Sequence, residues 1–567
     1  MTLADLPQEQ THLKASLRSP DEVMNLTRMG SAFPTRLSFM RVLVRRLSNE
    51  NAEVTRPVWE MDEDGYGSAV YSVQLGGKIY SLVAFSTPLD PERRTDRVIA
   101  EAWDASFTLF DGVPNRQDLD RLEAQAPKQE AGRFEASELV LSRANKSVRL
   151  FEHVVDCLSK GEQPDTDMIG SIGYLMRTTA VYGNGKFGFS DRVQIADRTA
   201  LAGPFQAEML TVWLIRGFTH DLVEHIAEAR NPQKFVPLAK EVKRTLGIGN
   251  STGLGMAPFL IKHNILLNNW MKARETALAR VRAIGSSDTS IINQVRELLT
   301  RALLHVDQWN VDDQRQMNRI EVLRTDLVEV DYLITPSWLE LPNPWDRLIT
   351  ISAKWSIECQ ELIVALVLEP HGELIDDLSD RMADNEGQRL VPSMALQELL
   401  QLLEQNYQWA LDVDFEHPEA TTFFWYTSEE KLEPRLGIRL EELGADLELP
   451  LDIARQAKAF HQDLSSNDPH QTIAMFLLAH PQHRHIARRV QTSEHHPYSE
   501  IKNNLIGADC MPLDILRCKL SFFGAAKCDP KSNLWTRINM YQGAPLFEDI
   551  GNTNTDNWWL PIQETAR

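Results

Sequence analysis

The sequence predicts a mainly α-helical chain with an α+β N-terminal part, and three observations carry that expectation. Apolar residues recur at three- and four-residue steps through most of the chain beyond residue 130. A period of two runs over 69–75 and again over 78–85, joined by Gly76-Gly77, which marks a small antiparallel hairpin near residues 69–85. The chain has 567 residues, 43% apolar and 25% charged, too long for one ordinary core, so a multi-layer helical block is expected.

Taken in order, 34–47 places arginines opposite an apolar stripe and predicts a surface helix. The stretch 95–110 fits helix or strand, with 98–103 leaning helical, and residues 1–130 form an α+β unit. Next come helices over 136–158 and 168–182, then a long apolar helix over 203–230 that Asn231-Pro232 stops. A short basic helix over 237–246 and another over 256–283 complete a helical block, 131–320. Alternation over 327–334 predicts a strand, 349–368 a buried helix and 394–411 another, within a mixed segment 321–450 that has an acidic surface. Residues 451–567 are read as a C-terminal helical, histidine-rich and aromatic segment.

Charge and cysteine content narrow the function classes. The net charge of −21, from 80 acidic against 59 basic side chains, works against nucleic acid and anionic membranes as partners. No apolar run approaches the about 18 to 20 residues that span a bilayer, and residues 1–19 lack the pattern of a signal peptide, so the cytoplasm is the expected compartment. Five scattered cysteines without a C-x-x-C spacing form neither a disulfide framework nor a zinc knuckle, and Cys528 has no adjacent histidine to activate it.

Chemistry is expected at two glycine-rich turns, Tyr182-Gly-Asn-Gly-Lys-Phe-Gly188 and Gly247-Ile-Gly-Asn-Ser-Thr-Gly-Leu-Gly255. The second has the spacing of neither a Walker loop nor a dinucleotide fingerprint, and the cofactor is left unknown. In the second turn the backbone from Gly249 to Gly253, with Asn250, Ser251 and Thr252 as capping side chains, can cradle an anion. Arg177, Asn184 and Arg192 add polar and cationic contacts to the substrate, and Tyr182 and Lys186 are the acid–base candidates. The competing reading of the same glycines is close packing of neighbouring elements.

The function these residues point to is a soluble enzyme acting on a small carboxylated or phosphorylated metabolite by non-redox lyase, transferase or hydrolase chemistry. An acidic, non-catalytic scaffold is the alternative. A third reading is a metal-dependent hydrolase built on His480, His483 and His485, within a stretch from His461 to His496 that carries seven histidines. His220, Glu224 and His225 share a helix, but their spacing is not that of a zinc-protease motif.

Overall fold

The computed structural model describes residues 16–90, 92, 102–125, 135–178, 197–201, 203–250, 264–309, 311, 313–382, 390–417, 423–427, 432–436, 450–502, 512–525, 528–530, 536–551 and 556–562. In chain order the strands are β1 (Val54–Met61), β2 (Gly67–Leu75), β3 (Lys78–Ser86), β4 (Ala105–Asp111), β5 (Glu138–Lys146), β6 (Tyr174–Thr178), β7 (Gly247–Asn250), β8 (Phe423–Thr427), β9 (Leu432–Leu436), β10 (Cys528–Pro530) and β11 (Thr536–Met540). Nine of them form one open sheet in the order β1-β2-β3-β4-β5-β6-β7-β11-β10, while β8 and β9 pair separately. The expected hairpin is β2 and β3, with Gly76 and Gly77 at φ +61° and +73°, as a tight hairpin turn needs. The expectation of a small hairpin in a mainly α chain is nonetheless corrected: the hairpin is two strands of a nine-stranded mixed sheet.

Alternation along these strands divides the sheet's two faces. Tyr71 and Val73 of β2, Leu82 and Ala84 of β3, and Phe107 and Leu109 of β4 enter the main core, which runs from Val23 to Leu560. Their neighbours Val70, Val83, Phe85 and Phe110 face the other way and close a small second core with Leu119 and Leu122 of the Arg116–Gln125 helix. Burial on both faces is also why 136–158 reads as helix: β5 is buried along almost its whole length, and the helix begins only at Phe151. Likewise the predicted helix over 168–182 is a short helix, Thr166–Ile172, followed by β6.

Every described pairing in the large sheet is antiparallel except β6 with β7. A parallel pair needs a crossover, and the chain supplies it through the Gln206–Arg230 helix, which packs against β3 to β7. That helix is buried on nearly all sides from Gln206 to Ile215, as its continuous apolar run requires.

The remaining helices extend the same core away from the sheet. The Gln314–Leu333 helix replaces the strand expected over 327–334: Ile320, Leu323, Leu327 and Val330 form its buried stripe, and Asp313 caps its first turn. The Phe39–Asn49 helix, expected at the surface, lies in the core. Its Arg41 is fully buried, with bonds of 2.8 and 2.5 Å to the two oxygens of Glu369 and an ion pair to Asp556. The arginine stripe thus marks ion pairs within the fold.

A second buried network joins the N-terminal residues to the helices. Arg18 donates to both oxygens of Glu275 at 2.8 Å and to Glu361 at 2.7 Å. Arg28 reaches the same Glu361 oxygen at 2.8 Å, and Arg274 bonds the other. Burial alone would raise the Glu361 carboxyl, but the fields of Arg18, Arg274 and Arg28 hold it well below the usual carboxylate range. A depressed folded-state pKa stabilises the fold above the unfolded carboxyl value of about 4.3, and that contribution is lost as pH falls. Glu361→Gln should therefore cost about 3 to 5 kcal/mol at neutral pH, because it leaves buried guanidinium groups uncompensated. Urea unfolding at a series of pH values checks this: the gap between wild type and variant should narrow below about pH 4.

Candidate functional site

The parallel pair places the two glycine-rich segments. Arg177 of β6 stands opposite Gly249 of β7, and both strands run in the same direction. Their last residues, Thr178 and Asn250, therefore lie at one edge of the sheet, and the segments 179–196 and 251–263 both leave from that edge. Of the candidate residues, Arg177, Gly249 and Asn250 are thus brought near one another. Tyr182, Asn184, Lys186, Arg192, Ser251, Thr252 and Gly253 lie outside the described residues. Antiparallel β5 brings Ser142 and Arg143 to the same edge: Ser142 Oγ is 2.7 Å from Thr178 Oγ1, and the Arg143 guanidinium lies over the Trp103 ring. Burial lowers the Arg143 pKa.

The start of the second glycine-rich stretch is a strand, not a turn. Gly247–Asn250 pairs with β6 on one side and β11 on the other, and its glycines are required by what stands against them. A Cβ on Gly249 would come within 2.8 Å of the Tyr174 ring, and one on Gly247 within 2.5 Å of the Met540 carbonyl oxygen. Close packing accounts for these two glycines; the anion-cradle reading rests on the residues after them.

At the opposite end of β7 lies a cleft of about 350 Å³, counting its open mouth. One wall is the Gln206–Arg230 helix through Trp213, Arg216, Gly217, His220 and Asp221; Lys243 and residues 545–548 form the other. Sequence reasoning did not single out this cleft, because its walls meet only through the C-terminal segment. The spacing of Trp213, Arg216, Gly217 and His220 on one helix face is the signal that was present. Burial first, then Arg216 and Lys243, push the His220 pKa well below its usual value, so its imidazole is neutral at physiological pH. Beside it, Asp221 accepts from Tyr71 Oη at 2.6 Å and from Arg56 at 2.7 Å. Burial and then Asp221 raise the Tyr71 pKa, which keeps its hydroxyl a donor.

Neighbouring groups are committed elsewhere. Glu224 accepts from Leu238 N and pairs with Lys243, both at 2.8 Å, while His225 bonds Trp59 and the Asp62 carbonyl. His220, Glu224 and His225 therefore do not converge on a metal. Nor are the buried thiols nucleophiles at neutral pH, since burial pushes Cys518 up to about 12 and Cys359 higher.

Phe547 closes the cleft by lying on Gly217, where a Cβ would come within 2.2 Å of ring atoms. An alanine in a helix normally gains up to about 1 kcal/mol over glycine. Here Gly217→Ala should instead destabilise by about 1 to 3 kcal/mol through overpacking, measured as a lower urea midpoint with an unchanged slope.

Among the described residues no helix is long and apolar enough to cross a membrane. No known protein family, curated protein or solved structure matches this chain.

Proposed function

We propose that the chain binds a small anionic metabolite, a carboxylate or a phosphate, at the carboxyl ends of β6 and β7 and acts on it by non-redox chemistry in the cytoplasm. The observation that supports this reading is the one parallel pair among the described strands of the large sheet, from whose shared edge both glycine-rich segments depart. In open sheets, ligands favour the carboxyl ends of parallel strands where chain connections diverge, because loops and main-chain donors converge there. In this reading Asn250, Ser251, Thr252 and Gly253 hold the anion, with Asn184 as a further polar contact. Arg177, Lys186 and Arg192 balance its charge, and Tyr182 or Lys186 moves the proton. Cys157, Cys359 and Cys518, all unbridged, fit a reducing compartment.

A second reading has one observation in its favour: Gly249 is already explained by the Tyr174 ring against it, as a purely structural glycine would be. A scaffold whose glycines serve packing binds no metabolite. Thermal unfolding of the purified protein against a panel of phosphorylated and carboxylated metabolites separates the two. A ligand at about 100 times its dissociation constant should stabilise the fold by about 2.7 kcal/mol. The enzyme reading expects a rise in Tm with at least one anion, lost in Lys186→Ala. No rise with any anion, or a rise that survives the substitution, contradicts it.

A further inference from the structure

We infer that Asp463, His480 and His483 form a binding site for a divalent transition metal, with zinc the best-fitting ion. The site is independent of the sheet edge and uses a carboxylate in place of His485. Its two histidines are aligned by local backbone geometry. The Ile473–Ala479 helix ends at His480, whose N–H still donates to the Phe476 carbonyl at 2.9 Å, and Pro481 opens a 3₁₀ turn, Pro481–His483. His480 precedes this turn and His483 ends it, and their ring centroids lie 6.2 Å apart. Phe476 supports both rings, stacking on His480 at 4.5 Å and lying parallel to His483 at 6.0 Å between centroids.

Asp463 comes to them from the Pro450–Ser465 helix. Its Oδ2 is 2.6 Å from His483 Nε2 and 3.7 Å from His480 Nδ1, and the three candidate ligand atoms all lie within 4.8 Å of one another. Zinc held tetrahedrally at about 2.0 to 2.1 Å sets neighbouring ligand atoms about 3.3 Å apart. The two observed separations bracket that edge and the third, between the histidine nitrogens, is at most 4.8 Å, so loading replaces the Asp463–His483 hydrogen bond and readjusts the three side chains. Two imidazoles and a carboxylate suit zinc, cobalt or nickel; calcium and magnesium prefer all-oxygen shells.

Exposure is graded across the triad. His483 is 8% exposed, His480 28% and Asp463 41%, so one side is held by protein and the other faces water. Three protein ligands with an open fourth position is the arrangement of an exchangeable or reactive zinc, not of a closed structural one. Arg484, Arg488 and Arg489 are near in sequence and would repel a cation, but Arg489 is buried and turned onto Glu500 through bonds of 2.5 and 2.8 Å.

Isothermal titration of zinc into chelator-stripped, full-length protein tests the site, with cobalt absorption in the visible as a readout of tetrahedral coordination. One equivalent should bind wild type. Asp463→Asn, His480→Ala and His483→Ala should each weaken binding by at least about tenfold, the lower bound for losing even an outer-shell partner. His485→Ala should bind as wild type does, and unchanged melting of each variant in the absence of metal shows that it folds. Absence of stoichiometric binding, wild-type affinity in the triad variants, or loss confined to His485→Ala would overturn the assignment.

Discussion

Arg216 is fully buried, and its guanidinium donates to five main-chain carbonyls: Leu246 at 2.7 Å, Ala544 and Pro545 at 3.0 and 3.1 Å, and Lys243 and Arg244 at 3.2 and 3.0 Å. Lys243 and Arg244 lie in the last turn of the Lys240–Thr245 helix, where carbonyls have no partner within the helix. Leu246 leads directly into β7, and residues 544–545 follow β11. One side chain on the crossover helix therefore fixes the entry to β7 and the exit from β11. Burial lowers its pKa to about 9, so it remains a cation at neutral pH and keeps all its donors. Tyr541, bonding the Met209 carbonyl at 2.9 Å, and Asp549, pairing with Lys240 and Arg244, reinforce the same junction.

The mixed sheet follows from this junction. Without β11 beside it, four-residue β7 would be a short edge strand held by one neighbour; between β6 and β11 it is an interior strand. An interior β7 is what makes the parallel pair with β6 possible and sets both glycine-rich segments at one edge. Packing at this junction also dictates local composition. Gly247 and Gly249 lie where the backbone of β11 and the Tyr174 ring leave no room for a side chain, and Gly217 lies under Phe547. The metal triad is built differently, from a tight turn and one neighbouring helix, and needs no part of the sheet.

How much of this was legible in the sequence depends on how local the cause is. Gly76-Gly77 fixed the hairpin, and Asn231-Pro232 the end of the crossover helix, because turn chemistry acts within a few residues. β5 was misread because Leu139, Val140 and Leu141 are all buried, and a strand covered on both faces loses its alternation. The Val328-Glu329-Val330-Asp331 alternation misled in the other direction: Val330 is in the core while Val328 is half exposed on the helix surface. β6, β7 and β11 are too short to show a period, and their partners lie far away in the chain. At the candidate sites the same limit holds. Arg177 and Asn250 were read from composition near glycines, the Arg216–His220 cleft was not, and Asp463, though inside the histidine stretch, was missed because it lies on a different helix from the turn that carries His480 and His483.

The central claim is that β6 and β7 lie side by side and parallel, and a disulfide between them tests it most directly. Thr178 and Asn250 are one residue beyond the Arg177–Gly249 pair, and neighbouring strands bring such positions within the Cα separation of about 4.4 to 6.8 Å that a disulfide spans. Peptide mapping of oxidised Thr178→Cys/Asn250→Cys protein should recover a peptide pair linked through positions 178 and 250. Folded protein in which both introduced thiols stay free, or link to other cysteines, would contradict the parallel pair and with it the shared edge.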